Sequence, residues 1–119
     1  MKKVNLAEKF NVFNEYWSPH IVAELNNQYV KLVKFKGEFI WHSHANEDEL
    51  FFVVKGTLRI ELRNESITLN EGEFYIVPKG VEHKPVADEE AQVMLLEPKS
   101  TEQTGGIDSP LLVDNQSWI

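Results

Sequence analysis

His42-Ser43-His44-Ala45-Asn46-Glu47-Asp48-Glu49 and, further along, Pro78-Lys79-Gly80-Val81-Glu82-His83 decide how this chain is read. Three of its four histidines lie in these two blocks. In a strand, successive side chains point to opposite faces, so His42 and His44 share a face and Ser43 points the other way. Two such imidazoles offer two neutral nitrogen ligands with little rearrangement. Imidazole suits zinc, copper, iron and nickel, and a carboxylate widens the set toward manganese. Glu49 opens the apolar run Leu50-Phe51-Phe52-Val53-Val54 and reads as the first residue of a strand antiparallel to the histidine strand. Glu47 and Asp48 are rival carboxylates that read as solvated turn residues. Pro78 fixes φ and Gly80 permits positive φ, so a tight turn here aims His83 back toward the other two histidines.

The reading that follows is convergence of His42, His44, Glu49 and His83 on one divalent transition metal: iron, manganese, zinc, nickel or copper. Two His and one carboxylate resemble the facial triad of non-haem iron sites, and a third His extends it. Such a set leaves coordination positions open, which a closed structural site lacks.

The spacing then matches a family. Gly37, His42, His44, Glu49 and Gly56 give G-x4-H-x-H-x4-E-x6-G, and Gly72, Pro78, Gly80 and His83 give G-x5-P-x-G-x2-H. These resemble the two motifs of the cupin superfamily, small metal-binding β-barrels of jelly-roll type, over roughly Val30 to Leu96. Two departures stand out. Four residues rather than five separate Gly37 from His42, and Ala87 stands where the second motif often ends in Asn. The resemblance implies an all-β fold, a double-stranded β-helix or jelly-roll barrel. It also implies a homodimer, as is common for cupins of this size.

Composition agrees with that class. At 119 residues the chain is most simply one domain. Within it, residues 1–29 read as an N-terminal cap and first strands, 30–98 as the barrel core and 99–119 as a tail. The 42% hydrophobic fraction suffices for a core. A net charge of −7 argues against nucleic acid as partner, since phosphate neutralisation needs clustered Lys and Arg. No apolar run approaches the ~20 residues that span a bilayer. The start carries lysines with no apolar segment behind them, so no signal peptide is read. The absence of cysteine excludes disulfides, thiolate metal sites and cysteine nucleophiles. A cytoplasmic location is the default expectation.

Along the chain, Asn5 reads as the N-cap of a short helix ending near Phe10, with Glu8 placed as a capping-box partner. Phe10, Phe13, Tyr16 and Trp17 read as an aromatic cover for a barrel end or subunit interface. The sharper alternative is a wall against which a substrate stacks. His20, outside both motifs, reads as a surface or packing histidine. Ile21–Leu25 and Gln28–Lys36 read as a hairpin around Asn26-Asn27. Phe39 to His44 reads as a strand in which Ile40 lines the cavity and Trp41 faces outward, needing cover. Leu58 to Arg63 alternates apolar and charged residues, the pattern of a half-buried strand. Asp88-Glu89-Glu90 reads as a solvated loop, and Ala91 to Glu97 as a central last strand. The late apolar residues Leu111, Leu112, Val113, Trp118 and Ile119 are expected to fold over the barrel or reach a second subunit.

For function, the resemblance implies either an enzyme or a binding module. Cupin oxygenases and isomerases use such metals as Lewis acid or dioxygen site. Tyr75 or Glu82 could then supply acid–base help, although no catalytic residue is identified. The alternative is a pocket that holds a small ligand, a sugar or carboxylate, without turnover. A third option is a metal-free structural barrel.

Overall fold

The computed structural model describes residues 2–119. One helix, α1 (Leu6–Phe10), precedes seven strands: β1 (His20–Leu25), β2 (Gln28–Glu38), β3 (Glu49–Lys55), β4 (Leu58–Leu62), β5 (Ser66–Leu69), β6 (Phe74–Val77) and β7 (His83–Pro98). All strand pairings are antiparallel. The fold is the expected all-β barrel with one short N-terminal helix. No helix among the described residues is long and apolar enough to cross a membrane.

The 16-residue strand β7 closes the barrel. Its first part, His83 to Val86, pairs with β4, and its second part pairs with β3, from Gln92 to Leu96. Along most of its length it also pairs with β2, from Gln28↔Pro98 to Glu38↔Val86. One strand thus crosses from one sheet face of the barrel to the other. Gly56, in the β3–β4 turn, has φ +88°, and a Cβ there would lie 2.7 Å from the carbonyl oxygen of Glu90 in β7. Only glycine combines that φ with that approach.

Alternation sorts the core. In β3, Glu49, Phe51 and Val53 face inward; in β4, Leu58 and Ile60 do; in β7, Ala91, Val93, Leu95 and Glu97 do. These apolar residues join Trp17, Val33, Phe35, Phe39, Leu69 and Val77 in the main core. A second cluster of Phe10, Phe13, Val22 and Leu32 covers the outer side of β1 and β2. The aromatic stretch therefore divides: Phe10 and Phe13 join this outer cover, Tyr16 is exposed, and Trp17 turns into the main core. Asn5 Oδ1 accepts the Glu8 amide at 3.0 Å, as its capping role requires.

Several expectations are corrected. Phe39 to His44 is not a strand; only His42 forms a bridge, to His83. Phe39, not Ile40, lines the inner cavity. The chain passes through Gly37 at φ +83° and leaves the β2 ladder after Glu38, held to β7 by the Phe39 amide bond to the Pro85 carbonyl and by the His42–His83 bridge. Asp88-Glu89-Glu90 is exposed but lies within β7, at the shift in register between the Phe35↔Ala91 and Gly37↔Ala87 pairs with β2, so an irregularity in the strand takes the place of the expected loop. Trp41 is covered within the chain, by the Arg63 guanidinium 3.9 Å from its ring centroid. His20, by contrast, is a packing residue as its place outside both motifs implies, its ring 4.1 Å from that of Phe13.

The tail packs on its own barrel. Thr104 is fully buried, Gln103 Nε2 donates to the Trp17 carbonyl, and Trp118 bridges Ile21. A Cβ on Gly105, at φ +62°, would lie 2.1 Å from the Ser43 carbonyl oxygen, so the tail lies directly against the histidine segment.

Candidate metal centre

The bridge between His42 and His83 builds the site. The His42 amide donates to the His83 carbonyl at 3.0 Å, and the His83 amide donates back at 2.9 Å. Directly opposed residues of an antiparallel pair place their side chains on one face, so both imidazoles point into the barrel. The Gly80 amide donates to the His44 carbonyl at 2.8 Å, tying the second block to the first. Glu49 enters as the first residue of β3, opposite Val77. The rival carboxylates are engaged elsewhere: Asp48 Oδ1 accepts the Lys79 amide at 2.8 Å, and Glu47 Oε2 accepts the Ser100 hydroxyl at 2.9 Å.

His42, His44, Glu49 and His83 are all buried, with one donor atom from each within 4.8 Å of the others. His44 Nε2 lies 3.3 Å and His83 Nε2 3.6 Å from Glu49 Oε1. Donors bound to one ion at about 2.1 Å lie roughly 3 to 4 Å apart, so these spacings suit a shared ion. Tautomers agree as well. His42 Nδ1 lies 2.9 Å from the Ile40 carbonyl and His83 Nδ1 3.0 Å from the Val81 carbonyl. Each Nδ1–H donates to that carbonyl, which leaves the Nε2 lone pair for the centre. His44 Nε2 and His83 Nε2 are buried without a hydrogen-bond partner. An unmet buried polar atom costs about 1–3 kcal/mol, a cost that coordination to a metal would remove. Burial, and then the neighbouring His83, lower the His42 imidazole from its ordinary 6.5 to about 4. It is therefore neutral and able to ligate near neutral pH. Burial by itself raises the Glu49 carboxyl, but the adjoining Glu97 carboxyl and the His44 and His83 imidazoles beside it hold it well below the usual range.

A cavity of about 30 Å³ adjoins the cluster on the His42 and Glu49 side. It has room for about two waters. Trp17, Phe35, Phe39, Phe51 and Leu95 supply its apolar walls, and Glu97 and Gln103 its other polar groups. Trp17 is held firmly. Its amide donates to the Lys34 carbonyl at 2.9 Å, its indole Nε1 to the Lys36 carbonyl at 3.0 Å, and its ring stacks on Phe35 at 4.4 Å. Its φ is +59°, a strained value for a bulky residue that these bonds maintain.

The profile of the family described as a cupin domain matches residues 29–98. The chain belongs to the cupin family. A cupin-2 domain containing protein from Shewanella frigidimarina is 53% identical, covering 81% of this chain and 94% of its own, with a TM-score of 0.80. Protein NMB1881 from Neisseria meningitidis is 31% identical over 82% of this chain and 100% of its own, with a TM-score of 0.76. The uncharacterised protein YdbB of Bacillus subtilis (strain 168) is 34% identical over 84 residues, 70% of this chain and 74% of its own.

In this cupin, neither Tyr75 nor Glu82 lines the cavity. Glu82 is exposed and paired with Arg63 at 3.0 Å. Besides Glu49, the carboxyl that lines it is Glu97, which the sequence did not single out. Its signal was its position: Glu97 ends the inward row Ala91, Val93, Leu95 of β7, and Lys31 occupies a buried position of β2.

The lowered His42 value has a consequence for the metal-free protein. Its folded value of about 4 lies below the ordinary 6.5, so the unfolded chain takes up the proton first. The stability that neutral His42 contributes is complete above about pH 6.5 and is lost as pH falls through about 4. Urea unfolding of metal-free protein at successive pH values should show this fall, and His42→Gln should flatten it.

Proposed function

We propose that His42, His44, Glu49 and His83 hold one divalent transition metal, and that this cupin acts on a small molecule bound beside it, as an oxygenase or isomerase. The observation that carries the reading is the pair of buried, unpartnered Nε2 atoms of His44 and His83 facing the Glu49 carboxylate. A bound ion in such a set supplies a Lewis acid or, as iron or copper, a dioxygen site. The chain's own residues do the rest. The Ile40 and Val81 carbonyls orient the imidazoles. Trp17, Phe35, Phe39 and Phe51 keep bulk water from the His42 and Glu49 side. The second reading, a barrel that holds a small sugar or carboxylate without turnover, draws on the same cavity. Its support is that Glu97 is the one group lining the cavity, apart from the proposed ligands, that can donate or accept a proton.

Elemental analysis tests the metal. Native protein should carry a near-stoichiometric transition metal that is lost in the His42→Ala, His44→Ala double variant. Metal at about 100 times its Kd should raise unfolding stability by ~2.7 kcal/mol in the native protein only. A native protein that takes up no metal even on reloading would contradict the reading. Oxygen uptake by the iron-loaded protein would favour the oxygenase; a ligand-induced melting shift without turnover would favour the binding barrel.

We also propose a homodimer, formed through the outer face of β6, β3 and β7. Cross-strand pairs put Ile76, Leu50 and Leu96 in one row and Phe74, Phe52 and Met94 in the next. Phe74 and Ile76 are 58% and 47% exposed, and β6 ends the strand order. A contiguous apolar patch on a sheet edge suits self-association. Sedimentation should give a dimer for the native chain and a monomer for Phe74→Asp, Ile76→Asp. A native monomer at all concentrations would refute it.

A further inference from the structure

We propose that Gln103 is the gate to the cavity beside the metal centre and sets the size of what enters it; this rests on the reading above that a small molecule binds beside that centre. The need for a gate comes from size. The cavity next to His42 and Glu49 measures about 30 Å³, room for about two waters. Closed, it admits water or a diatomic gas. A substrate of more than a few heavy atoms enters only when part of the wall moves.

The lining shows which part. A second pocket of about 410 Å³, open to solvent, has Tyr29, Lys31, Thr101 and Val113 in its walls. Gln103 is the one residue that lines both spaces. Lys31 Nζ, in the wall of the larger pocket, lies 2.8 Å from Glu97 Oε1, in the wall of the smaller. A single layer of side chains therefore separates the two.

Gln103 is latched across that layer by hydrogen bonds. Its Nε2 donates to the Trp17 carbonyl, and its Oε1 accepts the Val113 amide at 2.6 Å. Its neighbours are pinned. Thr101 and Thr104 are 7% and 0% exposed, Thr104 Oγ1 donates to the Ile107 carbonyl at 2.6 Å, and Gly105 lies against the Ser43 carbonyl. Trp17 is held as well, by its amide and indole bonds to β2. The half-buried Gln103 side chain is the member left free to turn, because its sp³ torsions have staggered alternatives that need no backbone motion. The two groups it releases border the two spaces, so water or a polar group of the entering molecule takes them over. Turning it outward joins the small cavity to the large pocket and gives a substrate its path to the His42 and Glu49 side.

Two measurements on the full chain test this. The first needs no metal. In a Trp41→Phe, Trp118→Phe background Trp17 is the only tryptophan, and acrylamide quenching of its fluorescence reports entry to the cavity it lines. Gln103→Ala removes the gate; Gln103→Met keeps its length without either bond and serves if the first variant does not fold. Loss of two hydrogen bonds should raise the open population, and with it the bimolecular quenching constant, about 10-fold. The second measurement mixes cobalt(II)-loaded protein rapidly with azide or imidazole and follows visible absorption. The same variants should speed imidazole association about 10-fold and leave that of azide, little larger than two waters, nearly unchanged. A folded variant with the wild-type quenching constant would overturn the gate. So would equal acceleration of azide and imidazole, because that is loosening without selection by size. Wild-type protein that binds no cobalt would sink the metal reading alone, and the quenching experiment would still decide whether Gln103 guards the cavity.

Discussion

An imidazole nitrogen buried with nothing to bond is a cost that the rest of the structure has to absorb. Here two such nitrogens, His44 Nε2 and His83 Nε2, face one carboxylate in the barrel interior. The backbone makes the arrangement obligatory. The reciprocal amide bonds between His42 and His83 fix two imidazoles on one face, and carbonyls of Ile40 and Val81 fix their tautomers. The geometry resists collapse because each ring is held from behind. The Phe39 and Phe51 rings meet the His42 and His83 rings edge-on. A cluster so braced already holds its donor atoms in the arrangement that the proposed ion would need.

β7 is the member that makes this possible. His83 stands at one end of the strand and Glu97 near the other. The first meets β4 and the histidine segment; the second meets β2 and β3. The same strand therefore supplies a proposed ligand from one side of the barrel and a buried carboxyl of the cavity wall from the other. The N-terminal segment and the tail complete the enclosure. Trp17 closes the cavity from one direction and Gln103 from another, joined by the hydrogen bond from the Gln103 amide to the Trp17 carbonyl. Residues far apart in sequence thus guard one small apolar space.

How much of this was legible in the sequence depended on whether the signal was local. The four proposed ligands stood out because glycines, proline and histidines fall into register at fixed spacing, and each turn residue has a local reason. The strands β3, β4 and β7 were legible from alternation or from apolar runs. Phe39–His44 forms no strand because its backbone meets β7 only at Phe39 and His42, and an apolar-rich run does not reveal how many of its amides find partners. The middle of β7 was misread as a loop because Asp88-Glu89-Glu90 are solvated, and solvation alone does not end a strand. Glu97 and Lys31 were missed because each is ordinary in its own segment. Only the β2–β7 register makes them a buried pair, and register is a property of two strands. Trp17 was weighed with its aromatic neighbours, but its left-handed φ separates it from Phe10 and Phe13, and three hydrogen bonds rather than its residue type set that angle.

The central claim is that one ion sits among His42, His44, Glu49 and His83. The most direct test is anomalous diffraction from crystals of the metal-loaded protein, recorded on either side of the metal's absorption edge. One strong peak per chain is expected, at about 2.0–2.2 Å from an imidazole nitrogen of each of the three histidines and an oxygen of Glu49. A peak elsewhere on the chain, or none at this cluster in protein shown to have been exposed to saturating metal, would contradict it.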